Sequence, residues 1–263
     1  MTHISQTKIH DILGVRFDFI DDNVATEAIE RWKQNEERHY VTHANPHTVM
    51  LCQRDIEMQK AIKKAEMILP DGIGIILAAK ILGYAHNSRV TGSAFMLRLC
   101  DWGRIKEYRH FFYGGAEGVA DMLARKLSEK YPGLQVVGTY CPPFKQLSEE
   151  EDKRIIEIIN TSKPDILWVG LGAPKQEKWM ANHLDKISAT AMIGVGAAFD
   201  FQSGNVKWAP AWVRNLGMEW AWRLIHEPRR MWKRYLLNGP IYLVKVVCQR
   251  LRILLGHRPI DQS

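Results

Sequence analysis

The residues best placed to do chemistry lie in Leu69-Pro70-Asp71-Gly72-Ile73-Gly74, which sets a carboxylate where a nucleotide-binding sheet acts on its ligand. Met67, Ile68 and Leu69 read as the end of a short buried strand, and Ile75 to Ile81 as the helix that follows. Asp71 then falls on the carboxyl edge of a parallel sheet, where open α/β folds bind ligands. Gly72 and Gly74 would let backbone come close to a substrate. The stretch alone favours a plainer role, in which Asp71 caps the helix and accepts from its free amides.

Other loops bear on the choice. Gly170-Leu171-Gly172 follows an apolar strand, but Lys175 stands where the dinucleotide fingerprint needs its third glycine, and no acidic residue follows at the expected distance. The sequence has no Walker lysine-serine loop and no Asp-X-Asp pair to clamp a nucleotide-bound metal. A diphosphate would need another counter-charge, and arginines supply one through bidentate charge-assisted hydrogen bonds. In Gly172-Ala173-Pro174-Lys175-Gln176-Glu177, a backbone-exposing loop meets a Pro at a helix start, and Gln176 or Glu177 in isolation reads as a capping-box partner. Asn45 reads as a turn stabiliser. Each motif is weak singly, yet all end strands on one edge, and that convergence points to a site.

The elements behind these loops follow a regular rhythm. Ile12 to Ile20 reads as an edge strand or hairpin arm, and Val24 to Lys33 as a helix capped from Asp21-Asp22-Asn23. Tyr40 to Thr42 is a strand, Pro46 opens a helix, and a further helix from Ile56 to Ala65 leads into the strand that delivers Asp71. Strands at 110–113, 134–139, 166–169 and 189–195 alternate with helices at 94–105, 119–130, 149–159 and 175–184. Such alternation means βα units and a largely parallel sheet.

At 263 residues, with 46% hydrophobic and 25% charged residues, the chain has the composition of a soluble globular protein. The polar stretch from Met1 to His10 is not a signal peptide, and no apolar run reaches the roughly 18 to 20 residues of a spanning helix. Cys52, Cys100, Cys141 and Cys248 are scattered and read as free thiols in a reducing cytosol.

The net charge of +7 has a local origin. From Lys207 to Arg258 eleven basic residues face only Glu219 and Glu227, and five tryptophans (208, 212, 220, 222 and 232) fall in the same span. The chain divides accordingly into a core over 1–200 and a basic appendage over 201–263. A helix from Ile241 to Leu255 mixes Leu243, Val244, Val247, Leu251 and Leu254 with Lys245, Arg250 and Arg252. That pattern suits an interfacial helix on anionic lipid, and equally an ordinary helix docked on the core.

Taken together, the motifs resemble the bacterial glycosyltransferases of the teichoic-acid and enterobacterial-common-antigen type, the WecG/TagA/CpsF family. The resemblance runs from about Ile12 to Leu255 and rests on six ordered matches. They are Asn45-Pro46, Leu69 to Gly74, Arg89-Val90-Thr91-Gly92, Gly172 to Glu177, Gly196 to Asp200, and Glu219 to Leu224 continuing through Glu227-Pro228-Arg229-Arg230 to Arg234-Tyr235.

The resemblance implies a Rossmann-like α/β core and metal-independent, inverting transfer of an N-acetylmannosamine-type sugar from a UDP-sugar to polyprenyl-diphosphate-linked N-acetylglucosamine. No cofactor or metal is expected. It implies a peripheral enzyme on the cytoplasmic face of the membrane, docked through its appendage. Carried over by motif, Asp71 is the general base, and Asn45, Arg89, Gln176, Gly72 and Gly172 line the pocket. Arg223, Arg230 and Arg234 reach the UDP diphosphate. His43 and Thr42 complete the expected substrate-binding set, with one departure: two residues before Asn45 the family often has Thr where this chain has His43, and Thr42 is adjacent but points to the other side of an extended segment. Two other classes stay open on residues alone: a non-catalytic basic α/β module for membrane or nucleic acid, and a nicotinamide oxidoreductase. The basic stretch suits nucleic acid on charge, but its tryptophans lie in an apolar helical pattern and not as interleaved stacking residues, so no nucleic-acid partner is expected.

Overall fold

A computed structural model describes residues 10–85 and 88–256. The N-terminal polar stretch up to residue 9 and Arg258 lie outside the described residues. The core is an α/β sandwich around a six-stranded, all-parallel sheet in the order β4-β3-β8-β7-β5-β6. In chain order the strands are β3 (His39–Ala44), β4 (Met67–Pro70), β5 (Arg109–Gly114), β6 (Gln135–Tyr140), β7 (Ile166–Gly170) and β8 (Ala191–Gly194). A separate hairpin of β1 (His10–Ile12) and β2 (Val15–Phe17) precedes them, so the first segment is a hairpin and not a sheet edge. The Rossmann-like α/β class expected from the sequence is borne out.

Helices cover both faces because the central strands are apolar throughout, as parallel strands buried on two sides must be. On one face Tyr40, Phe111, Leu167, Val169 and Met192 pack under α2 (Pro46–Cys52), α3 (Ile56–Lys64), α4 (Ile73–Leu82), α7 (Glu149–Thr161) and α8 (Lys175–His183). On the other, Val41, Leu69, Phe112, Trp168 and Ile193 pack under α1 (Asp22–Gln34), α5 (Gly92–Ile105), α6 (Val119–Lys130) and α9 (Ala198–Ser203). The neighbours β3 and β8 send their chains to opposite faces, into α2 and α9. A crevice therefore opens above their carboxyl ends, the place where such sheets hold ligands.

The last part of the chain folds over this edge as α10 (Ala211–Asn215), α11 (Glu219–His226), α12 (Pro228–Trp232), a π-helical turn (Lys233–Leu237) and α13 (Asn238–Leu254). Helix α13 docks on the core. Tyr242 and Val246 are buried, the Tyr242 hydroxyl donates to the Gly74 carbonyl at 3.4 Å, and Gln249 bonds Asp11 and Leu13 of the hairpin. Its other side stays bare, with Val244, Val247, Leu251 and Leu254 all exposed. The docked reading therefore describes the face that carries Tyr242, Val246 and Gln249. Among the described residues no helix is long and apolar enough to cross a membrane.

Candidate active site

Asp71 follows β4 and donates its own amide to the Ala44 carbonyl of β3 at 2.9 Å, which fixes it at the crevice beside Asn45. It does not cap α4. The cap is Gly72, in a left-handed conformation (φ +89°) that an L side chain adopts only under strain, and no side chain bonds the helix's free amides. The carboxylate is thus left free. Gly74 serves packing, because a Cβ there would stand 2.5 Å from the Pro46 ring, so its small size admits α2 and not a substrate.

The charges around Asp71 come largely from the appendage. Burial is the main cause that raises its pKa, to about 6, and Glu219 pushes in the same direction; Arg234, Arg89 and Arg223 oppose them. A helix cap would instead have lowered the pKa. Arg89 is tied across the site, donating from Nη2 to the Arg214 carbonyl at 3.0 Å. Arg234 also reaches the start of α2, where burial and its charge hold His47 down at about 4. The π-helical turn helps explain this placement: it turns Arg234 inward while Leu236 and Leu237 stay exposed.

A stacked column ties the appendage to α9, which runs across the 200/201 boundary and buries Ala198 and Phe199 in the core. The Trp208 ring lies nearly parallel to Phe201 of α9, the Arg214 guanidinium sits 3.7 Å over Trp208, and the Arg223 guanidinium 5.5 Å over Phe201. Such cation–π contacts are worth roughly 0.5–2 kcal/mol each. Trp208 Nε1 donates to Glu219 at 3.1 Å, which holds that carboxylate near Asp71.

The remaining predicted residues divide. Asn45 caps α2, accepting from the amides of His47 (3.0 Å) and Thr48 (3.2 Å). Thr42 and His43 point to opposite faces, as the strand period requires. Thr42 donates to Glu177 of α8 at 3.2 Å, while His43 lies against Phe95 of α5 and donates from Nδ1 to the Gly194 carbonyl at 3.0 Å. Burial keeps His43 neutral, with its pKa lowered to about 4. Gln176 is buried and makes no capping box; it accepts from the Gly196 amide at 2.8 Å and donates to Glu177 at 3.0 Å, so it braces the β8 exit loop. Gly172 holds a positive φ of 73° in open space at the same edge. Arg223 stays close to the carboxylate, whereas Arg230 is exposed and pairs with Glu227 at 2.9 Å.

Comparison with known proteins adds to this geometry. The Glycosyl transferase WecG/TagA/CpsF family matches residues 10–254. This chain belongs to that family. Among curated relatives, the N-acetylglucosaminyldiphosphoundecaprenol N-acetyl-beta-D-mannosaminyltransferase of Bacillus spizizenii is 32% identical over 79% of this chain and 78% of its own. The protein of that name from Bacillus subtilis is also 32% identical, over 80% of this chain and 83% of its own. The Staphylococcus aureus (strain MW2) protein is 28% identical over 95% and 96%. The chain is a glycosyltransferase, and the non-catalytic and nicotinamide readings fall.

Sequence reasoning missed three residues of this WecG/TagA/CpsF glycosyltransferase: Glu219, Glu177 and Arg214. Glu219 had a visible signal, as one of only two acids in an otherwise basic stretch. Glu177 appeared only as a capping-box partner and the end of the Gly172 to Glu177 motif, since its burial beneath the sheet edge depends on Thr42 across 135 residues of sequence. The pair Glu219 and Asp71 yields a pH prediction. Activity that needs ionised Asp71 falls as pH drops through about 6. Glu219→Gln removes a charge that raises that pKa, so the acid limb of kcat/KM is expected to move to lower pH; an unmoved limb sinks the coupling.

Proposed function

We propose that this enzyme moves an N-acetylmannosamine-type sugar from a UDP-sugar to a polyprenyl-diphosphate-linked N-acetylglucosamine, with inversion and without a metal. The observation that carries this reading is the buried carboxylate of Asp71 at the sheet's switch-point crevice, where the charges of Arg234, Arg89 and Arg223 act on it against that of Glu219. Asp71 takes the proton from the acceptor hydroxyl as that oxygen attacks the anomeric carbon from the side opposite UDP. Negative charge builds on the departing diphosphate, and arginines aimed there stabilise the transition state more than the ground state. The relatives' names supply the sugar and the acceptor. The test is product analysis: UDP-N-acetylmannosamine and a lipid-linked N-acetylglucosamine should yield UDP and a lipid-linked disaccharide of inverted anomeric configuration. A retained configuration, or no disaccharide with any UDP-N-acetylhexosamine, overturns it.

The appendage is assigned a second task, docking on the inner face of the cell membrane where the acceptor lies. Of the large apolar side chains exposed among the described residues, fourteen fall between Trp212 and Leu255, interspersed with cations. Apolar burial plus attraction to anionic lipid is how such surfaces bind. Val247→Glu, Leu251→Glu and Leu254→Glu together change only exposed positions. The full chain is expected to float with phosphatidylglycerol vesicles and the triple variant to stay in solution; equal flotation rules out this face.

A further inference from the structure

Two diphosphates must be accommodated if the proposed reaction is right, one in the donor and one between the acceptor sugar and its isoprenoid. The cations of the appendage fall into two tiers that match this demand. Arg223 and Arg234, with Arg89 of the core, act on Asp71. Arg229, Arg230 and Lys233 are exposed on the outer side of α12 and the π-helical turn, while Met231 between them is buried and anchors the segment. Glu227 stands at the divide, with one oxygen 3.5 Å from Arg223 Nε and the other 2.9 Å from Arg230 Nη1. The side chain of Arg223 is 14% exposed and that of Arg230 63%.

The outer tier has apolar company. Lys233 Nζ lies 5.5 Å from the Trp232 ring centre, and Trp232, Leu236 and Leu237 are 46%, 59% and 51% exposed. A soluble nucleotide sugar has no use for that flank. A diphosphate joined to an isoprenoid fits both halves: phosphate oxygens on the guanidinium and ammonium groups, and the first isoprene units along Trp232, Leu236 and Leu237.

We propose that Arg229, Arg230 and Lys233 form a second, outer subsite that binds the acceptor's lipid-linked diphosphate, leaving Arg89, Arg223 and Arg234 to the donor's. The assignment rests on the transferase reading and moves Arg230 from the donor, where the family resemblance put it, to the acceptor. Glu227 then keeps the two anion sites apart, and its own negative charge disfavours a diphosphate that straddles both.

Kinetics in neutral detergent test this on the full chain, with UDP-N-acetylmannosamine and two acceptors of equal chain length. One is polyprenyl-diphosphate-linked N-acetylglucosamine and the other an uncharged alkyl glycoside of the same sugar. In the variant carrying Arg229→Gln, Arg230→Gln and Lys233→Gln, the KM for the diphosphate acceptor is expected to rise about ten-fold or more, the loss of one charge-assisted contact or more. The wild-type preference for that acceptor over the glycoside should collapse by a like factor, with the donor KM shifting less than about two-fold. A matched rise in donor KM, an equal rise for both acceptors, or no rise overturns the subsite. So does a difference between variant and wild type that appears only when phosphatidylglycerol is added, which assigns the cations to the bilayer. Wild-type protein that turns over neither acceptor instead overturns the transferase reading itself.

Discussion

Replacing Asp71 with Asn is expected to lower kcat by about 10²–10⁴-fold, the usual worth of a general base, while the protein stays folded. The amide keeps the shape of the carboxyl and its place beside Ala44, where only the backbone is bonded. No helix cap is lost, because Gly72 and not Asp71 caps α4. Replacing a carboxylate whose burial raises its pKa also relieves a desolvation cost, so thermal stability should hold or rise. Stopped assays of UDP release beside a melting curve separate the two effects. Loss of turnover with an unchanged melting temperature supports the base; a collapse of both would mean a structural role.

The second large effect belongs to Arg234. Its guanidinium is buried enough that desolvation and the nearby Arg223 and Arg230 lower its pKa, with Tyr235 and Asp71 opposing them. Holding that cation out of water is unfavourable until an anion arrives. In the proposed reaction a departing diphosphate supplies one at the moment charge develops, which makes the interaction strongest in the transition state. Arg234→Gln is therefore expected to cut kcat by roughly 10²–10³-fold, as the loss of a preorganised donor does elsewhere. It should also move the acid limb of the pH profile upward, since Arg234 is the leading charge that holds Asp71's pKa down. Lys at the same position should restore the limb but only part of the rate, because an ammonium cannot make the bidentate contact. A variant that lost rate without moving the limb would place Arg234 away from Asp71.

The core was legible because its strands and helices carry their own signals. The apolar run in β7 and the Asp21 cap of α1 are local, and local chemistry decided them. Asn45 is a similar case, a turn stabiliser on sequence and a cap of α2 in the structure. Roles that depend on distant partners were not legible. Gln176 and Glu177 look like capping-box residues until Thr42 and Gly196 are brought beside them. Asp71 looks like a cap until the positive φ of Gly72 swings the helix start away from it. The π-helical turn that sends Arg234 inward leaves no mark in the hydrophobic pattern, because it changes the register by a single residue. The concentration of charge and tryptophan, with the motif from Glu219 to Tyr235, announced that this part of the chain does something apart from packing.

The most direct test of the account is the initial rate of UDP release by the full chain after treatment with EDTA, given UDP-N-acetylmannosamine with and without polyprenyl-diphosphate-linked N-acetylglucosamine. The account predicts release that requires the acceptor, proceeds undiminished in the chelator, and falls away below about pH 6 as Asp71 takes up its proton. Release that stops in EDTA and returns with a divalent metal, or that ignores the acceptor, contradicts it.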